Sequence, residues 1–132
     1  MEQEIAFGKE SERKNLAALQ TVVPDIVPIS SRYFLFDYSS STAFVELKTR
    51  KFKKDKYPTT IVGLNKIDYA KANPGMDYYF AFCFEDGLYY IKYDKELFET
   101  FQVTECYRRD RGVKHKVVNI CVDLLQPVAT SQ

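Results

Sequence analysis

The stretch Phe34 to Arg50, FLFDYSSSTAFVELKTR, carries an aspartate at the end of one apolar run. Nine residues later a second run carries Glu46-Leu47-Lys48. Carboxylates are the hard oxygen ligands that Mg²⁺ takes. A cation held by them polarises a phosphoryl oxygen and lowers the pKa of a bound water. A lysine beside the cation orients that water or stabilises charge that develops in the transition state. Asp37, Glu46 and Lys48, brought to one point, are therefore suited to holding a divalent cation and a phosphodiester. Glu12 is a third candidate acid.

The elements that would position these side chains follow from local pattern. Gly8 to Val23 reads as a helix, with Glu12, Leu16, Leu19 and Val23 on one stripe at ~100° per residue. Glu12 thus sits at the leading end of an apolar face, although a first-turn acid also complements the helix dipole. Pro24 and Pro28 end the helix. Tyr33 to Tyr38 reads as a strand, Ser39 to Ser41 as a turn, and Ala43 to Arg50 as an antiparallel neighbour. Alternation puts Ala43, Val45 and Leu47 on one face of that second strand and Phe44, Glu46, Lys48 and Arg50 on the other. A Glu-x-Lys pair is most often a solvated strand face, but a solvated strand does not usually read FVEL.

Thr59 to Val62 reads as a short buried strand ended by Gly63. Leu64 to Asn73 reads as a helix closed by Asn73-Pro74-Gly75. Asp77 to Phe84 and Leu88 to Tyr93 flank an Asp-Gly turn and read as a hairpin. Asp94 to Phe101 reads as a short helix. Gln102 to Tyr107 and Lys116 to Val122 are the expected last strands, and residues 126 to 132 a frayed tail. Two segments are basic: KFKKDKY at 51–57 and RRDRGVKHK at 108–116. A solvated loop is the plain alternative for each; a phosphate-backbone contact is the functional one. His115 is the only histidine, remote in sequence from any nucleophile, so a histidine general base is not expected. No glycine-rich phosphate loop is present.

Composition sets the frame. The 132 residues suit one domain, with a core at about 8–94, C-terminal strands at 95–125 and the tail. Net charge is +1, so a nucleic-acid-binding surface must be local rather than global. Cys83, Cys106 and Cys121 are odd in number and too far apart for a metal knuckle. They read as reduced, buried thiols in an intracellular, soluble protein, in cytoplasm or nucleus, or encoded by a virus or phage. The acidic, polar N-terminus is not a secretory signal, and no apolar run is long enough to span a membrane.

Asp37 followed by Glu46-Leu47-Lys48, with Glu12 on a preceding helix, resembles the PD-(D/E)XK nuclease superfamily. Its shared core runs helix, three strands, helix, strand. Residues 8–85 have that order, which predicts an α/β (mixed-sheet α+β) restriction endonuclease-like fold with extra C-terminal strands. Phe36 stands where many members have proline. The resemblance implies that Asp37, Glu46, the Leu47 carbonyl and Glu12 ligate Mg²⁺ or Mn²⁺. It implies that Lys48 serves the attacking water and that Lys66, with Tyr69 beside it, faces the site from the second helix. Arg50, Lys51, Lys53, Lys54, Arg108, Arg109, Arg111 and Lys114 are the expected backbone contacts on duplex or branched DNA, and a homodimer would suit cutting of both strands. A catalytically silent nucleic-acid-binding module or assembly subunit on the same scaffold is the alternative; the intact Asp37, Glu46 and Lys48 favour the enzyme. Were the acids not to converge, an unrelated α+β protein would be the reading.

Overall fold

A computed structural model describes residues 15–31, 34–108 and 113–128. Its first described element is helical at 15–19 (α1). A mixed six-stranded sheet follows in the order β1 (Val27–Pro28), β2 (Tyr38–Ser39), β3 (Ala43–Thr49), β5 (Asp77–Phe84), β6 (Gly87–Lys92) and β9 (Gln126–Pro127). A three-stranded antiparallel sheet holds β4 (Thr59–Gly63), β8 (Val113–Cys121) and β7 (Val103–Arg108). Helix α2 spans Leu64–Ala72 and α3 Lys95–Glu99.

β3 and β5 are the centre, and they are parallel, from Ala43 opposite Asp77 to Thr49 opposite Cys83. A parallel pair needs a crossover, which β4 and α2 supply. The alternation in β5, DYYFAFCF, decides how each face packs. Tyr78, Phe80, Phe82 and Phe84 join Phe36, Val62, Ile67, Val118 and Ile120 in one buried cluster, under α2 and the small sheet. On the other face Ala81 leaves room beside Ala43, Val45 and Leu47 for Leu19 and Val23 of the first helical segment and its exit. The large sheet is thus a middle layer, with α1 on one side and α2 with the small sheet on the other. Bulky aromatic against small aliphatic side chains sets the spacing of the two interfaces.

The ends of the elements have local causes. β4 runs directly into α2 at Gly63, where a Cβ would collide with the Asn65 side chain. At the other end the Asn73 N–H and its Nδ2 both donate to the Tyr69 carbonyl. The Tyr78 hydroxyl in turn donates to the Asn73 carbonyl at 2.7 Å. The β5–β6 turn closes through Gly87 at φ +151°, a conformation L side chains rarely adopt. Asp94 caps α3 by accepting from the Leu97 N–H at 3.0 Å.

Several expectations change. The strand expected from Tyr33 to Tyr38 is only Tyr38–Ser39. Residues 34–37 bend instead, because Phe34 and Phe36 turn into the aromatic cluster, and Tyr33 lies outside the described residues. The core order of helix, three strands, helix, strand holds with a different membership. Val27–Pro28, expected as a connecting loop, is the first strand, paired with β2. Thr59 to Val62 leaves the large sheet and pairs with β8. The first helix gives way to turns after residue 19, ahead of Pro24. Part of the expected basic loop 108–116 is strand, since β8 starts at Val113. The tail is not frayed as far as Val128: Gln126–Pro127 pairs with β6 and Val128 is buried. The three cysteines are unpaired and half-buried.

Candidate active site

Asp37 sits where β2 has not yet begun. Its N–H still donates to the Val45 carbonyl at 3.0 Å. The next rung of the ladder is made by its side chain, whose Oδ2 accepts from the Leu47 N–H at 2.8 Å. The carboxylate thereby takes the place of a backbone acceptor and is fixed against β3. One residue before Leu47 on β3, Glu46 projects to the opposite face, the aromatic one. It is 5% exposed, one of two buried polar residues among those described.

Two ammonium groups meet Glu46. Lys48 Nζ lies 3.2 Å from Oε1 and Lys66 Nζ 3.4 Å from Oε2. Lys48 comes from the same strand face, two residues on; Lys66 comes from the first turn of α2. The Lys66 contact is an ion pair without hydrogen-bond alignment, so Oε2 is a buried oxygen that receives no hydrogen bond. Buried acceptors are rarely left in that state. Two carboxylates and two ammoniums make a site neutral in sum.

Burial dominates the electrostatics. It pushes the Asp37 carboxyl above its ordinary value, against the Leu47 N–H and the charges of Lys48 and Lys66, which pull it down. Burial also raises the Glu46 carboxyl; Lys48 opposes this, Asp37 adds to it, and Lys66 opposes it. The stability linkage has the sign of a raised acid. The contribution is full below the unfolded pKa and is lost as pH rises through the folded one. At neutral pH the ionised acids therefore cost the fold stability. Asp37→Asn should raise the melting temperature at pH 8, with the gain shrinking as pH falls toward ~4, near the unfolded carboxylate value. A scan of melting temperature against pH for the two proteins checks this, and an unchanged gap between them would contradict it.

Lys48 and Lys66 open onto a cleft of about 710 Å³ between β3, α2 and the small sheet. Arg50 lines it too, and its Nη2 donates to the Ile61 carbonyl at 2.9 Å. Burial lowers the Arg50 guanidinium from its ordinary value, partly offset by Glu46. Lys114, His115 and Lys116 form the far wall.

Of the residues expected from sequence, Asp37, Glu46, Lys48 and Lys66 come together, and Arg50 and Lys114 line the cleft with Lys48 and Lys66. Tyr69 faces the aromatic cluster, edge-on to Phe34 and Tyr78. Lys51, Lys53 and Lys54 do not line the cleft; Lys54 Nζ sits 5.4 Å over the Tyr89 ring and pairs with Asp55. Glu12, Arg109 and Arg111, and the side chain of Arg108, lie outside the described residues. His115 and Lys116 fall in the basic segment 108–116, which was expected to contact the nucleic-acid backbone, and they line the cleft with Lys114. Their signal in the sequence is a Lys-His-Lys run in a strand, which says nothing about what that strand packs beside.

A mixed sheet with a parallel central pair, and an acid, a Glu-x-Lys strand and a helix lysine converging at its central strand β3, define a PD-(D/E)XK nuclease-type domain. Residues 8–128 match the family model described as "Phage putative PDDEXK endonuclease", and the chain belongs to that family. No curated protein and no solved structure matches the chain. No helix among the described residues is long and apolar enough to cross a membrane.

Proposed function

We propose that the chain is a divalent-metal-dependent endonuclease that hydrolyses DNA phosphodiester bonds. One observation carries the reading: Asp37, Glu46 and Lys48, distant from Lys66 in sequence, meet it at the edge of a basic cleft. The donors fit a hard cation. Glu46 Oε2 is buried without a hydrogen bond, and Asp37 uses only Oδ2 on the backbone. No group of three or more acids, histidines or cysteines gathers among the described residues, so two carboxylates are what these residues supply. Asp37, Glu46 and the Leu47 carbonyl would hold Mg²⁺ or Mn²⁺, with Glu12 as the further acid. Bound there, the ion supplies a water of lowered pKa and a polarised phosphoryl oxygen.

The chain's own residues do the rest. Asp37 is held by the Leu47 N–H, so its free oxygen has a fixed direction. Lys48 holds and orients the attacking water in line with the scissile phosphorus. Lys66 opposes the negative charge that grows on the phosphoryl oxygens as the bond to water forms. Arg50 holds the flanking backbone. Duplex or branched DNA is the substrate class, and two protomers would be needed to cut both strands at once with one site each.

The test is cleavage of plasmid, linear duplex, single-stranded and four-way-junction DNA with Mg²⁺ or Mn²⁺ and with chelator. Metal-dependent cutting of at least one substrate is expected. Binding with no cutting of any of them would instead make the chain a silent nucleic-acid-binding module. The pH dependence has a definite sign: the metal competes with protons for Asp37 and Glu46, whose carboxyls are raised. Cleavage should therefore climb with pH from the acid side. Its limb should be steeper than one proton would give, because the two acids titrate as a pair. A rate profile flat from pH 5 to 8 would remove these carboxylates from the mechanism.

A further inference from the structure

The small sheet lies outside the helix-and-strand order that holds the acids, and no chemistry assigned so far uses it. Lys114 and Lys116, on one face of its β8 strand, nevertheless line the cleft opposite Lys48 and Lys66. Two observations say that this wall is made for an anion. First, Glu46 and Asp37 balance Lys48 and Lys66, which leaves Arg50, Lys114 and Lys116 in the cleft against Asp68, in a chain whose net charge is only +1. Positive charge is concentrated here. Second, the wall's cations are little used by the protein itself. Lys114 makes one exposed contact, 3.7 Å from Glu105, and Lys116 has no ion pair among the described residues.

The 51–56 segment makes the contrast. There Lys54 is stacked on Tyr89 and Lys56 lies near the Phe52 and Tyr57 rings. Those lysines serve local packing, and they are not on the cleft.

We propose that Lys114 and Lys116 of β8, with Arg50, form a second phosphate-binding wall that holds the backbone flanking the scissile bond and guides the strand between β3 and the small sheet. The lysines and the guanidinium supply charge. The identity of the ligand as a nucleic acid rests on the nuclease reading; the placement of the wall rests on the cleft alone.

The experiment measures binding of a fluorescent 20-base-pair DNA duplex in chelator, across a salt series, so that binding is read without cleavage. Lys114→Ala/Lys116→Ala is compared with Lys71→Ala/Lys95→Ala, which removes the same charge away from the cleft. Removing two phosphate contacts should weaken binding on the order of tenfold at ~0.1 M salt and flatten the log–log salt slope by about two. The control pair should leave the slope unchanged. An unaltered slope in the Lys114/Lys116 variant, with melting temperature unchanged, overturns the wall. A flattened slope in a protein that cuts nothing in Mg²⁺ or Mn²⁺ keeps the wall and removes the nuclease. Cutting by a protein whose wall variant binds normally does the reverse.

Discussion

Glu46→Ala should remove DNA cleavage altogether, and Lys48→Ala should lower it by ~10²–10³-fold, the range for losing one group that stabilises transition-state charge. The two losses differ in kind. Without Glu46 the site keeps one carboxylate and two unopposed ammoniums, so a divalent cation is repelled as well as unligated. Raising Mn²⁺ should not rescue it. Without Lys48 the acids remain, cation affinity rises if anything, and the defect should lie in kcat rather than in KM. Single-turnover rates against metal concentration separate the cases. Glu46→Ala should not be less stable. Glu46 is 5% exposed and its carboxylate is desolvated, so its removal relieves a cost that the fold carries for function. Undiminished cutting by Glu46→Ala would show that the acids at this position hold nothing, and the catalytic centre would have to be sought elsewhere.

Phe36→Ala should be among the most destabilising single changes in the chain. Phe36 is 2% exposed. Its ring stacks on Phe44 at 5.5 Å and touches the Tyr69, Tyr78 and Phe80 rings within 6.3 Å. Removal of a buried phenyl ring costs ~3–5 kcal/mol, transfer and cavity together. For a domain of this size that lowers the melting temperature by roughly 10–20 °C. Phe36→Leu should lose much less, because a branched aliphatic fills most of the space. The position matters to the site as well: Phe36 anchors the bend that ends in Asp37. At a temperature where Phe36→Ala remains folded, metal-dependent cutting should still fall, since Asp37 loses the support that aims it at the Leu47 N–H. Thermal melts and cleavage assays on the two variants check this. A fall of less than ~5 °C would mean that the aromatic cluster is not the structural centre.

The same residue explains a departure in the motif. Many superfamily members carry proline before the first acid, and here the bend at 34–37 is made by burying Phe34 and Phe36 rather than by fixing φ. Either device takes the chain out of strand geometry just before the acid. The carboxylate, not a carbonyl, then meets the next N–H of β3.

What the sequence by itself determined is what repeats locally. The two-residue alternation of AFVELKT placed Glu46 and Lys48 on one face. Asp-Gly between aromatic runs gave the β5–β6 turn, and Asn73-Pro74-Gly75 the end of α2. The convergence of Asp37, Glu46 and Lys48 followed from a short connection between neighbouring strands, which leaves few ways to join them. Other features belong to the tertiary structure. Val27–Pro28 and Gln126–Pro127 are two-residue strands, too short to show any period, and they exist because β2 and β6 offer open edges. Thr59 to Gly63 has an ordinary strand pattern, and that pattern cannot say which sheet it will join; its pairing with β8, some sixty residues on, decides it. That choice brings Lys114 and Lys116 opposite Lys48 and Lys66. Side-chain periodicity is a property of a few consecutive residues. Strand partnership is settled by which apolar faces can be buried together, and only the folded chain contains that information.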